Sequence, residues 1–310
     1  MKYIYSGLLG ILLTGLISID SFAQSNLRIS SQRDDDGDRV FSIENRNSQD
    51  YHIVVRFTSL IGYSCNCNLP YGGNIGSGTS RLFKLVRKEG FGSSDYNYSW
   101  SYRAGWVADK VKNVDYIIPV APGKEVKMMQ LQSLEKYMGQ EEKERKGTYH
   151  VGFYVEEEEV VYAARRGKVI KIVDDYDMSD ASNLDYSTRT NYILIRHDDN
   201  SYARYSILKK GGFKVAEGEF VQAGMPIATA GGERFNSGPQ FRLTTYYYTW
   251  DRSAPKDKAY TRSYVRMQFA NGEGEPQLLE PGEVYTSLHT EALITQDMSK
   301  REKKKRKKKG

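Results

Sequence analysis

Short segments in which apolar and polar residues alternate recur through most of the chain, and they limit its fold more than any other feature. Two of them run from Val40 to Asn45 and from Tyr51 to Thr58. Side chains of a β-strand point alternately to two faces, so this period of two predicts half-buried strands. The 28 glycines, against 8 prolines, fit the many turns that such strands need. We therefore predict an all-β protein.

The first 23 residues have the pattern of a secretory signal peptide. Lys2 supplies the positive end, Leu8 to Ile19 the apolar stretch, and Ser21 and Ala23 the small residues before a cleavage site. No Cys follows the apolar stretch, which argues against a lipid anchor. We expect a protein exported by residues 1–23 to the periplasm or the outer cell envelope.

The strand pattern divides the mature chain into two β units. Residues 24–133 contain about seven short strands and predict an N-terminal immunoglobulin-like β-sandwich. Residues 134–148 are charged and predict a linker or loop. A second β domain is predicted at 149–250, followed by a C-terminal extension with a small hairpin at 251–296.

The chain has two cysteines, Cys65 and Cys67, one residue apart. They can close a tight disulfide or remain as thiols, and the sequence leaves both open. A zinc site needs about four ligands, and nothing near this pair supplies the others.

The positive charge of the chain is concentrated at its C-terminal end. Residues 300–310 contain nine basic residues and one Glu, a net of +8, so the remainder of the +6 chain carries −2. A run of this kind predicts a disordered tail, here 297–310. In an exported protein we expect it to contact anionic envelope surfaces rather than nucleic acid, or to have no partner.

Four motifs in the second half appear in the order known from one enzyme family. They are VYAARRGKV (Val161–Val169), NYILIRH (Asn191–His197), VQAGMPIA (Val221–Ala228) and SGP (Ser237–Pro239). This stretch resembles the M23 (LytM-like) zinc metallopeptidases, which cut peptide cross-links of peptidoglycan. The resemblance implies a β domain of the duplicated-hybrid-motif type.

The same resemblance implies a zinc ion held by two His and one Asp, with a further His assisting. At the positions for the Asp and the paired His this chain has Gly152, Gln240 and Arg242, and Ile207 follows Tyr205 where the assisting His belongs. Shifting one strand by two residues brings His150 to the position of the first His and Tyr154 to that of the Asp, which recovers an imidazole but still lacks the carboxylate. We therefore expect a degenerate cleft without a metal or catalytic residues, formed by His150, Gly152, Tyr154, Tyr205, Ile207, Gln240 and Arg242.

Three functions are compatible with this sequence. The first is a non-catalytic module that binds peptidoglycan or its stem peptides, or that regulates a cell-wall hydrolase, as the resemblance implies for degenerate family members. In it, Arg242 and Gln240 bind a stem-peptide carboxylate, although a local ion pair of Arg242 explains the residue as well. The second is an active zinc metalloendopeptidase with a shifted metal site that uses His150. The third is a structural protein that docks to the envelope.

Overall fold

The computed structural model describes residues 26–129, 150–177, 187, 189–271 and 275–308. The predicted signal peptide and the predicted 134–148 linker lie outside the described residues. Strands are by far the main regular structure of the described chain, which confirms the predicted all-β fold class.

The N-terminal strands form two antiparallel sheets that pack face to face. One sheet has the order β1-β2-β6-β4 and the other the order β5-β3-β7. Phe41 of the first sheet and Val55 of the second are fully buried in a common core. The predicted sandwich is present, and its immunoglobulin-like character stays a prediction. The strands are β1 (Leu27–Arg33), β2 (Arg39–Asn45), β3 (Tyr51–Ile61), β4 (Tyr63–Cys65), β5 (Tyr71–Ile75), β6 (Gly78–Arg87) and β7 (Asp95–Ala104).

Cys65 and Cys67 form a disulfide at the end of β4, with their Cα atoms 5.1 Å apart. This decides between the two states that the sequence left open. Both residues pack against the aromatic core of the sandwich.

The second part contains a nine-stranded sheet and two smaller pairings. The sheet has the order β15-β12-β13-β14-β17-β10-β9-β20, with β18 added beside the long β17; β11 pairs with β16, and β8 pairs with β19 in parallel. The strands are β8 (Asp115–Ile117), β9 (Glu125–Met128), β10 (His150–Tyr154), β11 (Val160–Tyr162), β12 (Gly167–Val173), β13 (Asn191–Arg196), β14 (Tyr202–Leu208), β15 (Phe220–Val221), β16 (Pro226–Thr229), β17 (Gln240–Trp250), β18 (Tyr260–Tyr264), β19 (Gln268–Ala270) and β20 (Val284–Thr286).

The boundary between the two parts differs from the sequence prediction. β8 and β9 were assigned to the N-terminal unit of residues 24–133, but both pair within the second part. Met128 of β9 lies opposite Phe153 of β10, and both are buried in the same core. Val126 alternates with Met128 toward that core, so pairing β9 with β10 buries an apolar face that would otherwise be exposed.

The C-terminal region contains two short helices, α1 (Glu291–Thr295) and α2 (Lys300–Lys307). The prediction of a disordered tail is therefore wrong for this segment. Ser299 and Glu302 form a reciprocal capping box at the start of α2, which satisfies backbone N–H groups that would otherwise lack partners. Glu302 also pairs with Arg166 at 3.2 Å, and this holds the basic helix on the second part. No helix in the described part of the chain is long and apolar enough to cross a membrane.

The N-terminal part covers one end of the outer face of the large sheet. The Tyr202 hydroxyl of β14 accepts a hydrogen bond from the Trp106 backbone N–H at 2.6 Å. Arg196 of β13 lies 3.2 Å from a carboxylate oxygen of Asp50 and stacks 3.4 Å above the Trp106 ring. These contacts fix the two parts against each other. They also place the cleft described next beside the N-terminal part.

Candidate functional site

Alternation along two neighbouring strands brings most of the predicted cleft residues onto one face. In β10 and β17, Val151, Phe153, Phe241 and Leu243 point into the core, so the residues between them point outward. The register places Gly152 opposite Arg242, Tyr154 opposite Gln240 and His150 opposite Thr244. We call this outer surface of β10, β14, β17 and β18 the cleft face.

Tyr205 does not lie on the cleft face. Its side chain is fully buried in the core, and its hydroxyl accepts a hydrogen bond from the Ala164 backbone N–H at 2.7 Å. Burial raises the pKa of this phenol well above its ordinary value. The strand parity of β14 explains the error, because Tyr205 has the same parity as buried Ala203.

Ile207 reaches the edge of the cleft through an unusual backbone. It has φ 63°, in the left-handed region that β-branched residues rarely occupy, at a bulge between β13 and β14. A Cβ atom added to Gly232 would lie 2.9 Å from Gln240 Cγ and 3.1 Å from Ile207 Cγ2. At this edge the side chains of Ile207 and Gln240 therefore pack closely against Gly232.

Gln240 forms the floor of the cleft and is fully buried. Its amide nitrogen donates to the Ser237 hydroxyl at 2.5 Å, and its amide oxygen accepts from Nη2 of Arg242 at 3.3 Å. A buried amide needs such partners on both sides, because an unpaired one would carry a desolvation penalty. The amide thus orients the Arg242 guanidinium.

His150 is the imidazole of the cleft face. Its Nδ1 lies 2.6 Å from the Thr244 hydroxyl, and the ring meets Tyr264 edge-on at 5.4 Å between centroids. Burial, together with the charges of nearby arginines, lowers the pKa of His150 to about 4. The imidazole is therefore neutral near pH 7.

Sequence reasoning missed two arginines that share this face and are candidates for a functional role. Arg204 of β14 lies opposite Thr244, and Arg262 of β18 lies opposite Tyr248. With Arg242 they bring three guanidinium groups near His150, and all three charges contribute to its lowered pKa. In the segment YARYS, strand alternation places Arg204 on the opposite face from Tyr205. Only the pairing of β18 with β17 shows that Arg262 lies on the same face as Arg204.

The sequence of this part matches one family. Residues 147–254 match Peptidase family M23. This segment is an M23 peptidase-family domain. The match contains all seven predicted cleft residues. No curated protein sequence matches the chain.

Solved structures similar to the chain include two M23 peptidases. The catalytic domain of the antimicrobial peptidase lysostaphin from Staphylococcus simulans is 16% identical, with 48% of this chain and 88% of that chain covered and a TM-score of 0.26. Csd3 from Helicobacter pylori is 11% identical, with 90% of this chain and 83% of that chain covered and a TM-score of 0.28.

Among the described residues of the cleft face, only His150 carries a donor that Zn²⁺ prefers. Zinc binds thiolate, imidazole and carboxylate, whereas the side chains at Gln240 and Arg242 end in an amide and a guanidinium. Three positive charges around His150 would also repel a divalent cation. Among the described residues, the one group close enough to share a metal ion is Asp34, Asp36 and Asp38, in the N-terminal part. There Lys84 Nζ lies 2.9 Å from Asp34 and 2.6 Å from Asp38.

A pocket of about 420 Å³ opens beside Ile207 at the end of the M23 cleft. Charged residues of both signs and several backbone segments line it, including Glu158, Lys209, Gly232, Glu233 and Arg234. Of the seven predicted cleft residues, only Ile207 lines this pocket.

Proposed function

We propose that this protein is a non-catalytic binding module of the cell envelope whose M23 cleft holds peptidoglycan stem peptides. The observation that carries the proposal is Arg242, whose guanidinium is oriented by buried Gln240 on the cleft floor. A guanidinium matches a carboxylate through two parallel hydrogen bonds, and stem peptides carry carboxylates. The same surface would suit an acidic loop of a cell-wall hydrolase, which makes a regulatory complex an extension of the proposal.

The absence of catalysis follows, in this proposal, from the absence of zinc. An M23 reaction needs a metal ion to activate water and to stabilise the oxyanion that forms. The fixed charge of Arg242 opposes such an ion at the place that the family resemblance assigns to a ligand. We therefore propose that the module works without any cofactor.

An active peptidase with a shifted metal site is the second candidate, and His150 favours it. Its neutral imidazole is a possible ligand, since metal binding requires an unprotonated ring. It predicts chelator-sensitive release of peptide fragments from peptidoglycan.

Export and envelope attachment complete the proposal. Residues 1–23 would direct secretion, and helix α2 would then meet anionic envelope surfaces. Its lysines and arginines are mostly exposed, apart from contacts such as Arg306 with Glu291 at 2.8 Å. Each such side chain near an anionic membrane contributes about 1 kcal/mol, so several together suffice for attachment. A purely structural docking protein would use this contact alone.

The first test is zinc stoichiometry of the mature, tag-free protein, measured by elemental analysis after equilibration with Zn²⁺ and gel filtration. The proposal expects far less than one zinc per chain and no peptide release from peptidoglycan. One tightly held zinc per chain, with chelator-sensitive cleavage, would establish the peptidase instead.

The second test is sedimentation of the protein with purified peptidoglycan. Arg242→Ala should abolish most binding, whereas Arg252→Ala, an exposed arginine on the loop after β17, should not. Binding that survives Arg242→Ala but disappears when residues 300–309 are deleted would favour the docking protein.

A further inference from the structure

We propose that Arg204, Arg242 and Arg262 act together as one site for the carboxylates of an acidic peptide. This inference rests on the proposed binding function and names the chemistry that the cleft recognises. It adds two arginines, from β14 and β18, to the one that the family motifs indicated.

The three arginines come from three neighbouring strands. β14 and β18 pair with the two sides of β17, which itself carries Arg242. Neighbouring strands lie about 4.8 Å apart, and Arg204 and Arg262 pair with residues of β17 that are four positions apart, which adds roughly 13 Å along the strand. The backbones of these two arginines are therefore roughly 16 Å apart. That separation exceeds the reach of a single oxyanion. It suits two carboxylates of one short peptide better than one phosphate group.

Among the residues that the structure describes, two of these arginines have no acidic neighbour to neutralise them. Within the described ranges, no carboxylate lies within ion-pair distance of Arg204 or Arg262, and Nε of Arg204 is buried without a hydrogen-bond partner. Arg165 of the same domain shows the contrast, because Asp199 and Asp297 both pair with it. A buried donor without a partner is unfavourable, and a carboxylate would supply the missing acceptor.

Aromatic rings hold the two guanidinium groups in place. Arg204 lies 4.1 Å from the centroid of Tyr192, and Arg262 lies 3.9 Å from that of Tyr246 and 4.9 Å from that of Tyr264. Ring contacts of this kind stabilise the cation while its N–H groups remain available for hydrogen bonds. The arginines are therefore restrained before a ligand arrives, which reduces the entropy lost on binding.

The residues between the arginines do not oppose an anion. His150 and Thr244 are both uncharged near pH 7, and each can contribute a hydrogen bond. The charges of Arg204 and Arg262 both act on the Tyr246 phenol as well as on His150. The guanidinium groups of Arg204 and Arg262 therefore both lie close to His150 and Tyr246.

The test is calorimetric titration of the mature full-length protein with the synthetic tripeptide L-Ala-γ-D-Glu-diaminopimelate. A second peptide, with its carboxylates converted to amides, and inorganic phosphate serve as the comparison ligands. Arg204→Gln and Arg262→Gln should each raise the Kd for the acidic peptide by about tenfold or more, as expected for a lost charge-assisted hydrogen bond. Arg28→Gln removes the same charge from an exposed residue of β1, and it should leave the Kd unchanged.

The amidated peptide tests the chemistry without altering the protein. It should bind the natural sequence about as weakly as the acidic peptide binds the variants. Equal affinity for both peptides, or for phosphate and the acidic peptide, would overturn the inference, as would variants that bind normally. In those cases peptide binding itself, and with it the proposed function, would stand. If the natural sequence binds neither peptide, the proposed stem-peptide function fails together with the inference.

Discussion

Asp297 and Arg165, which lie 132 positions apart in the chain, form a buried ion pair in which Nε of the arginine donates to a carboxylate oxygen at 2.7 Å. Asp199 approaches the same guanidinium at 3.0 Å. The side chains of all three are at least 97% buried. This cluster connects the segment between α1 and α2 to the turn before β12.

Removing one member of this cluster should destabilise the fold strongly. Asp297→Ala leaves the Arg165 charge buried with less compensation, and breaking a buried pair in this way lowers the free energy of unfolding by about 3 kcal/mol or more. Denaturant titration measures the change. Asp257→Ala, at an exposed carboxylate, is the control and should have little effect. Equal stability of the two variants would show that the pair contributes nothing.

Stability should fall as the pH is lowered from about 6.5 to about 4, in part because of His197. Burial, with the charge of Arg165, lowers the pKa of His197 to about 4, whereas an unfolded histidine titrates near 6.5. Between these values the unfolded chain binds a proton that the folded chain does not. Each pH unit then removes at most about 1.4 kcal/mol of the unfolding free energy for this residue.

His197→Asn tests this contribution, since the Asn amide can still donate to the Arg166 carbonyl that His197 Nδ1 contacts at 2.8 Å. The unfolding free energy of the variant should decline less steeply over the same pH range. Parallel pH profiles for the variant and the natural sequence would contradict the assignment.

Gly72→Ala should disturb the contact between the two parts. An added Cβ would lie 2.3 Å from Cζ3 of the Trp250 ring, far inside van der Waals contact. Overpacking of this kind lowers stability by about 1–3 kcal/mol. Thermal unfolding followed by tryptophan fluorescence would detect it. In Gly92→Ala, where an added Cβ meets nothing within 4 Å, the melting temperature should stay the same.

Helix α2 should fray when its cap is removed. In Ser299→Ala the hydroxyl that accepts from the Glu302 backbone N–H is lost, which weakens a helix start by about 1 kcal/mol. Amide hydrogen exchange in residues 300–308 should then become about fivefold faster. Ser253→Ala, in an exposed turn, controls for general effects. Exchange rates that do not respond would mean that the capping box does not hold α2.

Local patterns in the sequence predicted the strands of the site well. Alternation around Phe153 and Phe241 correctly assigns one face of β10 and β17 to the core, and that places Gly152 and Arg242 outward. Tyr205 was assigned to the cleft because the family motif was read without the parity of its strand. The sequence does contain this information, because Ala203 and Tyr205 are two positions apart, and residues at that spacing lie on the same face of a strand.

Long-range pairing could not be read in the same way. Arg262 lies 20 positions beyond Arg242, and nothing local indicates that β18 returns to pair with β17. The partner of β9 is equally non-local, which is why Met128 was assigned to the wrong unit. Ser299 and Glu302 are a local capping signal for α2, whereas the density of like charges in residues 300–309 predicts disorder.

The assignment of β8, β9, β19 and β20 to the second part affects how a recombinant fragment should be cut. A fragment limited to residues 147–254, where the family match lies, would lack Tyr116 and Met128 on one side and Phe269 and Tyr285 on the other. Phe153 would then lose apolar neighbours and face solvent. A soluble fragment of the peptidase-like part must begin before β8 and continue through β20, and through Asp297 if Arg165 is to keep its partner.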